Sequence, residues 1–306
     1  MKIIPSTAFA AILLTATLQG ALIPEVRILL DKQDFAGAVK LIEAQRAGGA
    51  WTPELLQAQS WLGRGALAAK QYDRAIEYSA ETRKLIMAAL KSRKLDAEDR
   101  LPIALGATIE VKGQALAAKG ELGDALAFLE KEARTYRMTS MRARIQKNIN
   151  LLTLVGKPAP VLEVNDYVGR VAPPLLSKLK GKPVLLLFWA HWCPDCKTAV
   201  PMIADLAAKY SSKGLTIIAP TQHYGYVAGG DEAPPAVEKA YIGKIYEQYY
   251  SSIPGMTMPL SEENFRVYGS STTPTFVLID KAGIVRLYRP GSLTKEQLTA
   301  QIERLL

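Results

Sequence analysis

The pattern of apolar and polar residues changes near residue 155. From about residue 24 to residue 155, alanine, leucine and charged residues recur at helical spacing, and the sequence shows no strand pattern. Beyond that point come short apolar runs at residues 183–189, 215–219 and 275–279. The first of these runs is continuous and predicts a strand buried on both faces. The sequence therefore predicts helices in the first half of the chain and strands combined with helices in the second.

Three short segments repeat within the helical half, and each places a large apolar residue three positions before an alanine. They are residues 35–39, 72–76 and 122–126, with the alanines Ala38, Ala75 and Ala125. Small residues at such positions let paired helices approach closely. Residues 68–78 closely resemble the junction between the helices of a tetratricopeptide repeat. We therefore expect an all-α, tetratricopeptide-like domain at residues 22–155, which either recognises a protein partner or serves as a spacer or dimerising domain.

The only two cysteines of the chain lie in the segment Trp192-Cys193-Pro194-Asp195-Cys196, just after the first buried run. Apolar residues then recur at helical spacing at Val200, Ile203, Leu206, Ala207 and Tyr210. A strand that enters a helix through Cys-x-x-Cys places Cys193 at the helix N-terminus, where free N–H groups and the helix dipole favour the thiolate. Two intervening residues let Cys196 reach back and resolve a mixed disulfide on Cys193. The segment therefore predicts a redox-active pair.

Three other interpretations of the cysteines compete with this one. Free cysteines often pack as small hydrophobic residues. His191 and His223 are the only histidines and could join the pair in a zinc or copper site, but the glycine-rich turn and second ligand pair of a zinc knuckle are missing. A structural disulfide with two intervening residues would restrain the unfolded chain very little. The motif favours the redox pair.

Around this motif the sequence resembles the thioredoxin superfamily, and specifically the extracytoplasmic thiol–disulfide oxidoreductases of the TlpA and ResA type. The matching segments are residues 156–160, 179–183, 188–193 and 273–280. The resemblance implies a thioredoxin-like α/β fold with a central mixed sheet at residues 156–306. It also implies that a Cys193–Cys196 disulfide is the redox centre, with no bound cofactor and no metal.

The resemblance assigns further residues to the site. In that family the proline equivalent to Pro274 is cis and lies against the cysteine pair, and the backbone of the preceding residue, here Thr273, pairs with an extended substrate peptide. A proline just before a predicted strand fits a strand entry, where no ladder donor is required. We expect Trp192, Pro194 and Asp195 to shape the site together with these two residues.

Two positions depart from the family pattern, and each loses an acid that helps to move protons during exchange. Leu187 stands where thioredoxins carry a buried aspartate, and Ala199 stands where ResA-like proteins carry a glutamate. Asp195 either caps the helix or is solvated, or its charge acts on the neighbouring thiolate. The sequence therefore leaves open which group accepts the proton of Cys196.

These observations predict dithiol–disulfide exchange on proteins that carry thiols or disulfides, with an unidentified electron donor or acceptor as the second partner. The Pro-Asp pair between the cysteines matches neither the Gly-Pro of reducing thioredoxins nor the Pro-His of oxidising DsbA proteins. The resemblance alone favours disulfide reduction. One alternative is a protein-binding adaptor in which the pair is a redox switch. Another is a peroxiredoxin-like peroxidase, although the Pro-x-x-x-Thr-x-x-Cys pattern is missing around Cys193.

Charge and the N-terminal segment bear on partners and location. The net charge of +9 comes from lysines and arginines interspersed with acids, and the chain has no basic motif, which argues against nucleic-acid binding. Lys2 precedes an apolar segment, so residues 1–21 predict a secretory signal peptide and a periplasmic or secreted protein. The same segment could instead be an uncleaved membrane anchor or the first helix of the repeat domain.

The stretch between residues 219 and 274 is longer than the family core requires, and it holds six of the 13 tyrosines. Tyr241, Ile242, Ile245 and Tyr249 recur at helical spacing and predict a helix packed on the sheet. A substrate-facing aromatic lip is the other interpretation of these rings.

Overall fold

The computed structural model describes residues 22–306, so the predicted signal peptide at residues 1–21 lies outside the described residues. The α-helices described before residue 156 are α1 (Leu22–Asp31), α2 (Phe35–Arg46), α3 (Pro53–Ala68), α4 (Tyr72–Ala89), α5 (Arg100–Ala118), α6 (Leu122–Thr135) and α7 (Arg142–Thr153). Consecutive helices pack in pairs, α1 with α2, α3 with α4 and α5 with α6. The predicted helical first half is confirmed. Across residues 22–306, no helix has both the length and the apolar character needed to cross a membrane.

The repeated alanines lie where paired helices meet. The three repeated segments form the first turns of α2, α4 and α6. Their alanines, Ala38, Ala75 and Ala125, are completely buried. Close approach is visible at Gly113 of α5, where an added Cβ would lie 2.8 Å from Leu129 of α6. Small residues therefore set the spacing of these pairs, as the pattern predicts.

The second half is built on a four-stranded sheet with the strand order β3-β2-β5-β6. The strands are β1 (Tyr167–Val168), β2 (Val184–Phe188), β3 (Thr216–Ile218), β4 (Met258–Pro259), β5 (Thr275–Ile279) and β6 (Val285–Pro290), and β1 pairs with β4 outside the main sheet. Strand β2 is parallel to β3 and antiparallel to β5, which confirms the expected mixed sheet. The accompanying helices are α8 (Pro194–Tyr210), α9 (Pro235–Ile245), α10 (Glu262–Tyr268) and α11 (Lys295–Glu303).

Strand β2 is buried on both faces because a different set of helices covers each face. Leu185 and Leu187 pack into a core with α8, α9 and α11. The alternate residues, Val184, Leu186 and Phe188, pack into a second core with α10. Successive side chains of a strand point to opposite faces, so a strand between two cores needs a continuous apolar run. The run at residues 183–189 meets this requirement.

Helix α7 joins the two halves. It packs against α5 and α6 on one side and against α10 on the other. Asn150 Nδ2 donates a hydrogen bond to the carbonyl oxygen of Val267 at 3.1 Å. At Gly269, just after α10, an added Cβ would lie 2.3 Å from the backbone nitrogen of Lys147. The helical half is therefore held against the sheet domain by direct backbone contact.

Candidate redox site

The predicted site lies where three segments meet at one edge of the sheet. Phe188 at the end of β2 pairs with Thr275 at the start of β5, so residues 273–274 lie beside the segment that leaves β2. Strand β3 is parallel to β2, so the segment that follows β3 reaches the same edge of the sheet. There, Thr221 Oγ1 donates a hydrogen bond to the carbonyl oxygen of Trp189 at 3.1 Å. The cysteine segment thus has a structured neighbour on each side.

The two cysteines lie at the start of α8 and form a disulfide. Cys193 is the N-cap residue and Pro194 is the first helical residue. The N–H of Cys196 donates a hydrogen bond to Cys193 Sγ at 3.0 Å. Cys193 is 2% exposed, and Cys196 is completely buried. When the pair is reduced, the same N–H and the positive end of the helix dipole favour a thiolate on Cys193.

Trp192 and Asp195 flank Cys193 and are both exposed. Trp192 is 46% exposed, and its ring lies edge to face with that of Tyr224 at a centroid distance of 5.5 Å. Asp195 lies in the first turn of α8, but Cys193 is the N-cap. Cys193 is therefore the cap, and of the two alternatives of a capping or a solvated Asp195 the structure favours the solvated one, near the positive end of the helix.

Thr273 presents free polar groups beside the cysteine segment. The Thr273–Pro274 peptide bond is cis, and Pro274 is buried. Within residues 22–306, neither the backbone N–H nor the carbonyl oxygen of Thr273 is hydrogen-bonded to the backbone. Its hydroxyl is buried and also lacks a partner in this part of the chain. The backbone of Thr273 is therefore available to pair with an extended peptide.

Leu187 and Ala199, which stand where related proteins carry an acid, lie in different surroundings. Leu187 is completely buried in the core that contains both cysteines. Ala199 lies one turn beyond Cys196 and lines a cavity of about 160 Å³ together with Asp195 and Phe276. Of the described residues, Asp195 alone brings a carboxylate to the wall of this cavity. On this side of the pair, Asp195 and solvent are therefore the available proton acceptors.

A buried carboxylate that the sequence analysis did not single out contacts the cysteine segment. Glu238 of α9 is completely buried, with Oε1 at 3.2 Å from His191 Nε2 and Oε2 at 3.3 Å from His223 Nδ1. The backbone N–H groups of Tyr224 and Gly225 donate to the same carboxylate at 2.6 and 2.9 Å. Burial lowers the pKa of His191, and the Glu238 carboxylate opposes that effect.

The inserted segment packs on the sheet through α9, as its helical pattern predicts. Ile242 and Ile245 are buried in the same core as the cysteines, and Tyr241 packs against it. Glu238 lies at helical spacing from these residues, and a lone acid on an apolar helix face was the signal that could have revealed it. Both histidines contact this acid. Across residues 22–306, no group of three or more histidine, cysteine or acidic residues is arranged to hold a metal ion.

The second half of the chain is similar to known proteins. The family model for a thioredoxin-like domain matches residues 176–306. The thiol–disulfide oxidoreductase ResA of Bacillus thuringiensis (strain Al Hakam) is 34% identical over 151 residues, which cover 49% of this chain and 78% of the relative. ResA of Geobacillus thermodenitrificans (strain NG80-2) is 30% identical over 155 residues, with the same coverage of 49% and 78%. The crystal structure of a candidate thiol:disulfide interchange protein DsbE from Chlorobium tepidum is 27% identical. The match covers 49% of this chain and 96% of the Chlorobium tepidum chain, with a TM-score of 0.40.

A mixed sheet with a Cys-x-x-Cys pair at the start of the following helix defines a thioredoxin-like protein of dithiol–disulfide exchange. The chain belongs to the ResA family of thiol–disulfide oxidoreductases. It is therefore an oxidoreductase whose chemistry is carried by a cysteine pair.

Proposed function

We propose that the protein reduces disulfide bonds in other proteins outside the cytoplasm, with Cys193 as the attacking thiolate and Cys196 as the resolving thiol. The observation that carries this assignment is the N-cap position of Cys193, whose sulfur accepts the N–H of Cys196 at 3.0 Å. The complete burial of Cys196 keeps it from meeting a substrate directly. Its role is therefore confined to attack on Cys193 within the chain.

The reaction balances with two electrons and two protons. The Cys193 thiolate attacks one sulfur of the substrate disulfide, a mixed disulfide forms, and the first substrate sulfur leaves and takes up a proton. Cys196 then gives up its proton and attacks the Cys193 sulfur, which releases the second substrate thiol. The substrate is reduced and the pair becomes a disulfide, which an electron donor must reduce again. The sulfur pair itself stores the electrons, so this cycle uses neither a bound cofactor nor a metal.

The groups around the pair support a polypeptide substrate. The free backbone N–H and carbonyl oxygen of Thr273 suit an extended chain, which would add its own hydrogen bonds at this edge. The exposed face of Trp192 offers an apolar contact next to Cys193. In this proposal Pro274, Pro194 and Asp195 complete the surface that the substrate meets.

Two further parts of the proposal rest on the sequence. The apolar segment at residues 1–21 supports a periplasmic or secreted location, in which protein disulfides persist. The tetratricopeptide-like repeat supports recognition of a protein partner by helices α1 to α7.

The direction of electron flow is tested by the reduction potential of the pair. The purified protein is equilibrated in glutathione or dithiothreitol buffers, and the disulfide fraction is read by alkylation and mass. A potential near or below about −250 mV supports a reductase. A potential above about −180 mV would contradict that direction and indicate an oxidant or isomerase.

A further inference from the structure

A cleft of about 490 Å³ opens between the helical half and the sheet domain. One wall is the connection between α6 and α7, which contributes Arg137 and Met138. The other wall is formed by α10, with Phe265, and by the segment after β3, with His223. Since the two halves supply opposite walls, the cleft depends on the docking of α7 against α10.

The cleft is connected to the redox site by aromatic contacts. Trp192, next to Cys193, lies 5.5 Å from the ring of Tyr224. Tyr224 in turn lies 6.5 Å from Phe265, which lines the cleft. The ring of Trp192, next to Cys193, therefore lies within about 12 Å of the ring of Phe265 in the cleft wall.

The charges in the cleft are not balanced. Arg142 pairs with Glu263 at 3.0 Å, and Arg266 pairs with Glu262 at 3.1 Å. Among residues 22–306, no carboxylate lies within ion-pairing distance of the third arginine, Arg137. A carboxylate from a bound polypeptide would balance this guanidinium.

The wall that carries Arg137 also carries the apolar side chain of Met138. Met138 is 86% exposed, which is unusual for so apolar a side chain. Methionine is flexible and polarizable, and it contacts partners of different shape. The cleft therefore combines an adaptable apolar contact with an unbalanced positive charge.

We propose that this cleft binds an acidic segment of the disulfide-bearing polypeptide while Cys193 attacks its cysteine. The inference rests on the proposed function and adds the class of substrate. An extended chain advances about 3.3 Å per residue, so about four residues are enough to cover the distance of at most about 12 Å from Trp192 to Phe265. The preferred substrate carries glutamate or aspartate about three to five residues from the attacked cysteine.

The test compares two symmetrical peptide disulfides in single turnovers with the pre-reduced full chain. One peptide carries glutamates three to five residues from its cysteine, and the other carries lysines there. Bis(2-hydroxyethyl) disulfide, which is small and neutral, reports the chemistry at Cys193 without the cleft. We expect the acidic peptide to react about three- to fivefold faster than the basic one, which is the effect of one exposed charge pair. About 0.5 M NaCl should reduce this preference by screening.

Reversing the charge of Arg137 tests whether the cleft causes the preference for the acidic peptide. Arg137→Glu should abolish or invert the ratio of the two peptide rates, whereas Arg134→Glu, at another exposed arginine that lies in α6 outside the cleft, should leave that ratio as it is. Equal rates for the two peptides, or a preference that survives Arg137→Glu, would overturn the proposal. Failure to reduce even the small disulfide would instead contradict the proposed function, so the two failures can be told apart.

Discussion

Glu238 Oε1 lies 3.2 Å from His191 Nε2, and this contact ties helix α9 to the chain two residues before Cys193. The same carboxylate also binds His223 and two backbone N–H groups of residues 224–225. Because Glu238 is completely buried, these donors supply the hydrogen bonds that water would otherwise provide. One side chain therefore fixes the cysteine segment, the segment after β3 and the inserted helix relative to one another.

Replacing Glu238 should destabilise the protein strongly. Glu238→Ala leaves the buried His191 and three partly buried donors without an acceptor, and we expect a loss of about 3 to 5 kcal/mol in the free energy of unfolding. Glu238→Gln keeps one acceptor oxygen and should cost less. Urea denaturation of both variants measures this loss, with Glu232→Ala, an exposed acid of the same inserted segment, as the control. Equal stability of the alanine variants would contradict the role given to this carboxylate.

A substitution at Gly269 tests the contact between the helical half and the sheet domain. Its φ of +63° lies in the left-handed region, and an added Cβ would lie 2.3 Å from the Lys147 backbone nitrogen. Gly269→Ala should therefore push α7 away from α10. Gly283 also has a positive φ, of +86°, but an added Cβ there meets no atom within 4 Å.

The two alanine variants distinguish the cost of a left-handed backbone, which both share, from the steric clash with Lys147, which only Gly269→Ala has. Gly283→Ala should cost about 1 kcal/mol in stability, which is the penalty for a left-handed alanine. Gly269→Ala should cost clearly more, and limited proteolysis should cut the connection between the halves faster. A loss no larger than that of the Gly283 variant would mean that the halves do not dock through this contact.

Glu110 of α5 makes stability depend on pH. Burial raises the pKa of Glu110, but Arg144 and Lys147, at 2.9 and 3.2 Å, outweigh that effect and lower it to about 2. Since the folded-state pKa lies below the ordinary value of 4.5, the stabilisation is present above pH 4.5 and is lost as the pH falls towards 2. The difference in pKa corresponds to about 3 kcal/mol.

This dependence is measured as the difference in unfolding free energy between the unmodified protein and Glu110→Gln at several pH values. We expect the unmodified protein to be more stable near pH 6 and the difference to vanish near pH 2. Glu130→Gln removes an exposed acid whose ion pair spans 4.0 Å, and it should show little difference throughout. A constant difference for the Glu110 variant would refute the assigned charge pairing.

The cavity beside Ala199 allows the missing acid to be restored. A glutamate at position 199 would lie one turn from Cys196, with about 160 Å³ of free space to enter. Ala199→Glu should speed release of the mixed disulfide about tenfold near pH 7, because a carboxylate close to Cys196 can accept its proton. The control is Ala199→Gln, which has the same size but accepts no proton at this pH. Identical pH–rate profiles for the two variants would show that proton transfer does not limit the step.

Some of the fold and site could be predicted from local pattern. Strand β5 has the predicted bounds, and β2 differs from its predicted run by one residue at each end. Both follow from a continuous apolar run, which is required when two cores enclose a strand. The cysteine pair was visible because its chemistry depends on residues close in sequence.

The rest depends on contacts between distant residues, which local pattern does not report. Glu238 meets His191 across 47 positions, and neither residue alone indicates a partner. The cleft requires α7 to dock on α10, and its arginines are ordinary surface residues when read singly. Cap preferences favour aspartate, so the sequence left capping and solvation of Asp195 as alternatives until the structure showed Cys193 at the N-cap.

The division of roles between the two cysteines is tested most directly by trapping the mixed disulfide. Reduced Cys196→Ser and Cys193→Ser variants are each mixed with a peptide disulfide, and adducts are identified by mass after acid quenching. We expect Cys196→Ser to accumulate a stable adduct on Cys193, because the resolving thiol is gone. Cys193→Ser should form almost none, since Cys196 is completely buried. Equal trapping on Cys196, or no adduct in either variant, would contradict the account.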